Sequence, residues 1–407
     1  MHVTTAIDVP VYTPMPAAER DALLADVEAY CQELRPIEDL CYLEHRFNKD
    51  SIDLARKHDI MGMIVPKEYG GRGADFPTYA TAMARIGREG TGVRTLFSGH
   101  CSIGQTPVIE WGTDEQKRRY LPDSATGERI MAFGLTEPEA GSNPLELQST
   151  YRRDGDHYVL NGVKYLISNG TIAHTIIVFA YPEGDNGKGR RMSAFIMDTD
   201  GDGLEREELT AKLGMPTSDT AMFEMEEYRV PVDNMLGEEG NGFRVAMKTI
   251  RAGRLSVASG CVGVIEDCLE SAIDYAKERH QHGKAIARHQ LIQDHLAMIE
   301  IGRQSSSSIV ADAARTKAAS EDHPEDEELG RQADLLIAKA KFVATNVAFD
   351  AADRAMQVLG GKGWSDLYRP GRHWKDARVC RIYEGSDEIL KLKVAADLLG
   401  KEYAAFS

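Results

Sequence analysis

Residues 149–168 read STYRRDGDHYVLNGVKYLIS, and their period decides what kind of fold this chain adopts. Apolar and polar residues alternate along the stretch, and Asp154-Gly155 and Asn161-Gly162 punctuate it. That pattern predicts strand, turn, strand, turn, strand. HTIIVFAY (174–181), MSAFIMD (192–198) and AMFEMEEYRV (221–230) carry the strand-like runs onward. Residues 131–235 are therefore expected to form a β domain.

Outward from this block, in both directions, the period becomes helical. AAERDALLADVEAYCQEL (17–34) spaces Leu23, Leu24, Val27, Tyr30 and Leu34 as one helix face, and Pro36 is expected to end it. SIDLARKHDI (51–60) is a second amphipathic helix, and Pro66 with the glycines of EYGGRGADFP (68–77) opens a loop. FPTYATAMARIGREG (76–90) resumes helix. TDEQKRRYLP (113–122) begins with a Thr-x-x-Gln capping box and is expected to stop at Pro122. After Gly242, Ile250, Val257, Val262, Ile265, Leu269, Ala272 and Ile273 share a broad face of a long helix. QLIQDHLAMIEIGRQSSSSIV (290–310) and LGRQADLLIAKAKFVATNVAFDAADRAMQVL (329–359) supply two more, with the acidic EDHPEDEELG (321–330) as solvated surface between them. No internal repeat interrupts this order. The class is α+β: a helical domain over 1–130, a β domain over 131–235 and a helical bundle over 236–407.

Composition excludes several functions. The 407 residues are 42% hydrophobic and 28% charged, an ordinary globular mixture. No apolar run reaches the roughly 18 residues of a membrane span. The opening MHVTTAIDVPVYTPMP lacks the features of a secretory or arginine-rich transit leader. A net charge of −16 argues against a nucleic-acid partner. The six cysteines are scattered, with no CxxC, and are expected to be reduced core residues in a cytosolic-type compartment.

Four stretches carry candidate chemistry. GLTEPEAGSN (134–143) exposes backbone amides and hydroxyls where helix gives way to sheet, suiting a polar ligand or an ordinary domain-entry turn. GEEGNG (237–242) imitates a dinucleotide fingerprint, but its first spacing is wrong and no βαβ unit surrounds it, so a turn and helix start is expected. ERHQHGKAIARHQLIQ (278–293) gathers Arg279, Lys284 and Arg288, a set that suits a pyrophosphate. Its histidines 280, 282 and 289 lack metal-ligand spacing, so no metal is expected. VLGGKGWSDLYRPGRHWKDARVCRIYEGS (358–386) is densest, and ends in Tyr383-Glu384-Gly385-Ser386. From the residues alone, Glu384 is either a helix-capping acid or a base.

Taken together, WGTDEQKRRYLPDSATGE, FGLTEPEAGSN, LNGVKYLISNG, VPVDNMLGEEGNGF, YAKERHQHGKAI, QVLGGKGW and DARVCRIYEGS resemble, in order and spacing, the acyl-CoA dehydrogenase family. The resemblance covers nearly the whole chain. It implies a flavoprotein with an N-terminal helical domain, a middle β-barrel or sheet domain and a C-terminal four-helix bundle, assembled as a homotetramer of paired dimers. It implies FAD as cofactor, an acyl-CoA thioester as substrate and electron-transfer flavoprotein as the acceptor of electrons, in the fatty-acid β-oxidation manner. It implies a cytoplasmic location of bacterial type, or the mitochondrial matrix.

The resemblance also implies roles. Glu384 matches the catalytic glutamate of the family's YEGT motif, which takes the α-proton while the β-hydride goes to flavin N5. Tyr383 and Gly385 flank it at the substrate, and Arg254 supports it near the CoA arm. Some relatives place the base on the long helix in an LxxER pattern, but Gly253 stands at that acid position. Phe133, Leu135 and Thr136 lie beside the isoalloxazine. Ser142 binds flavin phosphate or lies near the CoA arm, and Ser168 replaces the threonine near N5. Arg279 and Gln281 reach a neighbouring subunit's FAD pyrophosphate. Gln357 and Gly361 match adenine-end contacts, and Ser386 and Glu388 the ribose and adenine side.

Departures from the family pattern are specific. Leu166, next to Tyr165, stands where an aromatic usually shields the flavin, His282 replaces a phenylalanine, and Glu139 and Asn143 alter the EPGAGSD motif. GVRTLFSGHCSIG (92–104) resembles the glutaryl-CoA dehydrogenase segment whose arginine binds a substrate carboxylate, with Arg94, Thr95 and Ser98 in register. Gly87 occupies the place of that arginine's acidic companion.

Overall fold

The computed structural model describes residues 10–185, 191–403 and 405. The expectation about the first residues falls mostly on 1–9, outside the described residues. The architecture has the expected three sections: N-terminal helices, a middle β-sheet domain and a C-terminal helix bundle. By internal contacts the chain forms two compact units, Ala25–Ala74 with Glu89–Gly253, and Met1–Leu24 with Asp75–Arg88 and Arg254–Ser407.

The helical N-terminal section comprises α1 (Ala17–Leu43), α2 (Asp50–Lys57), α3 (Phe76–Gly87), α4 (Thr91–Phe97), a π-helical turn over Ser98–Gln105, α5 (Thr106–Trp111) and α6 (Asp114–Thr126). Both proline stops are corrected. α1 runs through Pro36 and α6 through Pro122. A proline inside a helix forfeits one hydrogen bond and crowds the preceding turn. Burial offsets that loss: Leu34, Cys41 and Tyr42 flank Pro36 in the core, as Tyr120, Leu121 and Ala125 flank Pro122. The Thr113–Gln116 capping box forms in both directions.

The β domain holds β1 (Met131–Gly134), β2 (Thr150–Asp154), β3 (His157–Ser168), β4 (Thr175–Pro182), β5 (Ser193–Asp198), β6 (Leu204–Glu208), β7 (Thr220–Pro231) and β8 (Met235–Leu236). The strand order is β6-β7-β3-β2-β4-β5-β8, with β1 parallel to β4. Asn161-Gly162 is not a turn. β3 passes straight through it and absorbs one register shift there against β7. A Cβ on Gly162 would sit 2.3 Å from Ser149 Oγ, so the glycine serves close approach rather than chain reversal. A second shift lies between Lys164 and Ile167, where Leu166 adopts φ 59°.

The C-terminal section comprises α7 (Gly242–Glu278), the small hairpin β9 (His280–Gln281) and β10 (Lys284–Ala285), α8 (Gln290–Asp322), α9 (Glu327–Leu359), α10 (Arg369–Cys380) and α11 (Asp387–Leu399). α7 is more deeply set than a one-faced helix: every residue from Leu255 to Ile265 is buried. Small residues permit this. A Cβ on Gly263 would meet Ala84 O at 1.9 Å, and one on Gly87 would meet Gly260 O at 2.2 Å. The core of this bundle joins α7, α8, α9 and α10 through residues such as Ile265, Val310, Ile337 and Ala377. All six cysteines are buried, and none is in a disulfide. Among the described residues no helix is long and apolar enough to cross a membrane.

Candidate active site

The loop between α10 and α11 takes Glu384 out of the helix cap. The helix-capping role belongs to Ser386, whose hydroxyl accepts from Ile389 N–H at the start of α11. Glu384 stands outside the helix at φ 55°, and Gly385 follows at φ 95°. Two successive left-handed residues turn the chain sharply, and the non-glycine member carries a strain of about 1–2 kcal/mol. Such strain persists only where the surroundings hold it. Here they do. Arg254 Nε on α7 donates to the Glu384 carbonyl at 2.8 Å, and Lys341 Nζ on α9 donates to the Gly385 carbonyl at 2.8 Å. Asp387 accepts from Arg381 Nε at 2.9 Å and from Asn346 Nδ2 at 3.1 Å. Tyr383 OH lies 3.1 Å from Cys380 Sγ. Arg254, Tyr383, Glu384, Gly385 and Ser386 thus form one cluster, while Glu388 faces solvent in the first turn of α11.

In the β domain, Phe133 and Leu135 are buried at the end of β1. Tyr165 N–H donates to the Thr136 carbonyl at 2.9 Å, which sets Leu166 of β3 beside the β1 end. Leu166 is 55% exposed despite being apolar and left-handed. Ser168 is half-buried, and the following Asn169 ties β3 to the Leu96 carbonyl at 3.0 Å. Ser142 lies on the exposed tip of the 134–149 loop. The hydroxyls of Thr136, Ser142 and Ser168 make no hydrogen bond among the described residues, so all three are available to a ligand.

That loop is anchored by a buried ion pair. Lys164 Nζ reaches Glu137 Oε1 at 2.6 Å and the Phe179 carbonyl at 2.7 Å. Glu137 also accepts from Ser149 N–H at 3.1 Å, from Ser149 Oγ and from Gln148 N–H. Burial pushes the Glu137 carboxyl up, but the Lys164 ammonium and these donors outweigh it and hold it below the usual carboxylate range. Nothing in the TEPEA run distinguishes this glutamate from a solvated one. The signal is Lys164, a lysine on an inward position of an alternating strand.

Arg279, Gln281, Gln357 and Gly361 are exposed. They sit at one end of the bundle: Lys362 Nζ lies 5.4 Å from the Tyr275 ring, one turn before Arg279. They do not join the Glu384 cluster. About 24 Å of α9 separates Gln357 from Lys341, at roughly 1.5 Å per residue. Arg279, Lys284 and Arg288 share the small hairpin segment, where Lys284 Nζ is 3.5 Å from the Arg288 carbonyl. Among the described residues no cluster of three His, Cys, Asp or Glu side chains offers a metal site.

Arg94 lies in α4 and is buried, its guanidinium donating to Thr95 Oγ1 at 2.8 Å. Ser98 opens the π-helical turn and pairs with Ser102. His100 in that turn accepts from Met131 N–H at Nδ1 and lies 3.0 Å from the Ser124 carbonyl at Nε2. Burial pushes its pKa down to about 4, so it stays neutral. Gly87 has no room for an acidic side chain, because the Gly260 backbone occupies that space.

Three family models match the chain in succession: the acyl-CoA dehydrogenase N-terminal domain over residues 17–128, the middle domain over 132–228 and the C-terminal domain over 240–399. An acyl-CoA dehydrogenase of Bacillus subtilis is 36% identical over 369 residues, 91% of this chain and 94% of that protein. The butyryl-CoA dehydrogenase structure from Megasphaera elsdenii aligns with TM-score 0.88 at 31% identity, covering 96% of this chain and all of that one. An acyl-CoA dehydrogenase complexed with FAD from Bacillus anthracis aligns with TM-score 0.88 at 30% identity, covering 98% of this chain and 70% of that one. The chain belongs to the acyl-CoA dehydrogenase family of flavoprotein enzymes.

Proposed function

We propose that this enzyme dehydrogenates an acyl-CoA thioester to the enoyl-CoA, with Glu384 as the base that removes the α-proton. The observation that carries the reading is the held loop: a strained glutamate whose own backbone is gripped by a partly buried arginine, next to a second cation on the following residue. A thioester α-proton is very weakly acidic. General-base catalysis supplies roughly 10²–10⁴-fold, and hydrogen-bond donors aimed at the developing enolate oxygen supply much of the remainder. Tyr383 and Gly385 bracket the base, and Arg254 fixes its main chain close to the CoA arm.

The residues present fit FAD. Leu166 offers exposed apolar surface to a planar ring, and the hydroxyls of Thr136, Ser142 and Ser168 are open to polar ligand atoms. Bound FAD supplies the two-electron acceptor for the β-hydride. Phe133, Leu135, Thr136, Leu166 and Ser168 would hold its ring, with Ser142 at a phosphate or the CoA arm. Arg279 and Gln281 would hold a pyrophosphate, Gln357 and Gly361 the adenine end, and Ser386 with Glu388 the ribose side. Electron-transfer flavoprotein as acceptor and a homotetramer complete the reading.

The test is an anaerobic titration of the purified yellow protein with acyl-CoAs of increasing length and with glutaryl-CoA. Bleaching of the oxidised flavin band by one member is the expected result, and enoyl-CoA is the expected product. Bleaching by glutaryl-CoA alone, with release of CO₂, would assign buried Arg94 to the distal carboxylate of a diacid substrate. A yellow protein that no acyl-CoA bleaches would sink the dehydrogenase reading.

A further inference from the structure

We propose that Lys341 is a positioning residue for Glu384: its buried ammonium holds the left-handed Glu384-Gly385 turn through the Gly385 carbonyl. The inference rests on the reading of Glu384 as the base. Lys341 lies in the middle of α9 and is fully buried. A lysine is rarely placed there, because taking an ammonium out of water is costly unless it is paired and hydrogen-bonded. Its ammonium donates to a main-chain carbonyl, that of Gly385, at 2.8 Å. Lys341 therefore acts on the loop's shape.

The geometry divides the work between two cations. Arg254 from α7 fixes the peptide between Glu384 and Gly385, and Lys341 from α9 fixes the next one. Holding two consecutive peptide planes fixes the backbone on both sides of Gly385, which as a glycine has no intrinsic preference to stay left-handed. The direction in which Glu384 presents its carboxylate follows from that turn.

Charge reinforces position. Burial pulls Lys341 down from the usual lysine range, and Cys380, Asp387, Cys261 and Glu384 pull it back. Other charges face the same loop: Arg254 from α7, Asp334 of α9, which pairs with Lys393 of α11, and Arg381, which pairs with Asp387. With Lys341 present, cations from α7 and α9 hold the main chain of Glu384 and Gly385. Removing it takes the ammonium from the Gly385 carbonyl and makes the ionised base harder to keep.

The experiment compares FAD-loaded wild type with Lys341→Met, Lys341→Gln and Lys341→Arg. Two quantities are read: the pH profile of flavin bleaching by a substrate acyl-CoA, and amide hydrogen exchange of residues 381–390 without substrate. The neutral variants are expected to keep FAD and to bind acyl-CoA. They should bleach at least about tenfold more slowly at neutral pH, with the acid limb of the profile moved upward, as for a carboxylate that loses a nearby cation. Exchange across 381–390 should quicken. Lys341→Arg should return the limb toward its wild-type position. Neutral variants with wild-type bleaching, limb and exchange would overturn the proposal. So would failure of both neutral variants to fold, which would assign Lys341 to folding alone. The reading beneath it fails separately: Glu384→Gln that still bleaches rapidly would remove Glu384 as base, whatever Lys341 does to exchange.

Discussion

Arg254 Nε lies 2.8 Å from the backbone carbonyl oxygen of Glu384, a side chain of α7 gripping the main chain of a loop more than a hundred residues later. The contact explains why an arginine is needed. Its Nε and Nη donors form a rigid fork, and Arg254 Nη1 also reaches Asp334 at 4.0 Å. Lysine at this position keeps the charge and loses the fork. Arg254→Lys should retain FAD and slow flavin bleaching by roughly tenfold to a hundredfold, the scale of a small misplacement of a reacting group. Stopped-flow absorbance against one substrate checks it. An unchanged rate would mean that the arginine does not position the base.

Gly385 is the second hinge of that loop. Its φ of 95° and the 3.1 Å approach that a Cβ would make to Arg254 Nη2 both disfavour any side chain. Gly385→Ala should cost about 1–2 kcal/mol from backbone strain alone. It should also slow bleaching by more than that loss of stability explains. Thermal unfolding and single-turnover bleaching of the same preparation separate the two effects.

The buried Lys164–Glu137 pair predicts a stability effect with a defined sign. The Glu137 carboxyl is held below its unfolded value, so its contribution is complete above about pH 4.3, the unfolded glutamate value, and is lost as pH falls through the folded one. His100 acts in the same direction, since its folded pKa of about 4 means that the unfolded chain takes the proton first. The melting temperature should therefore fall as pH drops below about 6.5, and more steeply below about 4.5. Glu137→Gln leaves Lys164 buried without its partner and should destabilise by roughly 3–5 kcal/mol at pH 7. Its low-pH curve should be flatter than that of wild type. Calorimetry across pH decides this.

Leu166 combines exposure with a left-handed backbone, a costly arrangement unless a ligand covers the side chain. Asparagine tolerates that backbone better. Leu166→Asn should raise the melting temperature of FAD-free protein slightly while weakening FAD binding. Apo and holo melts with a FAD titration check both directions. A variant that gains stability with unchanged FAD affinity would remove Leu166 from the cofactor site.

Much of this was legible in the residues. The switch of period at residue 149 marked the β domain, and the order of seven short motifs pointed to Glu384. Other features were not legible, for physical reasons. Pro36 and Pro122 are local helix breakers, but tertiary burial around them outweighs one lost hydrogen bond. Asn161-Gly162 carries turn chemistry, yet its glycine is used for close approach to Ser149. Lys341 reads as a polar residue in a helix, and only packing reveals that its ammonium is buried on the base loop. The exposed residues Arg279, Gln281, Gln357 and Gly361 stand well away from the Glu384 loop, a separation that sequence order does not disclose.

The proposed role of Glu384 is to remove the α-proton. Rapid mixing of FAD-loaded Glu384→Gln with the acyl-CoA that bleaches wild type tests it most directly. The glutamine keeps the shape of the side chain and removes the base. The expected result is retained FAD, retained acyl-CoA binding and a rate of flavin bleaching lowered by roughly 10²–10⁴-fold or more. Bleaching at the wild-type rate would contradict it.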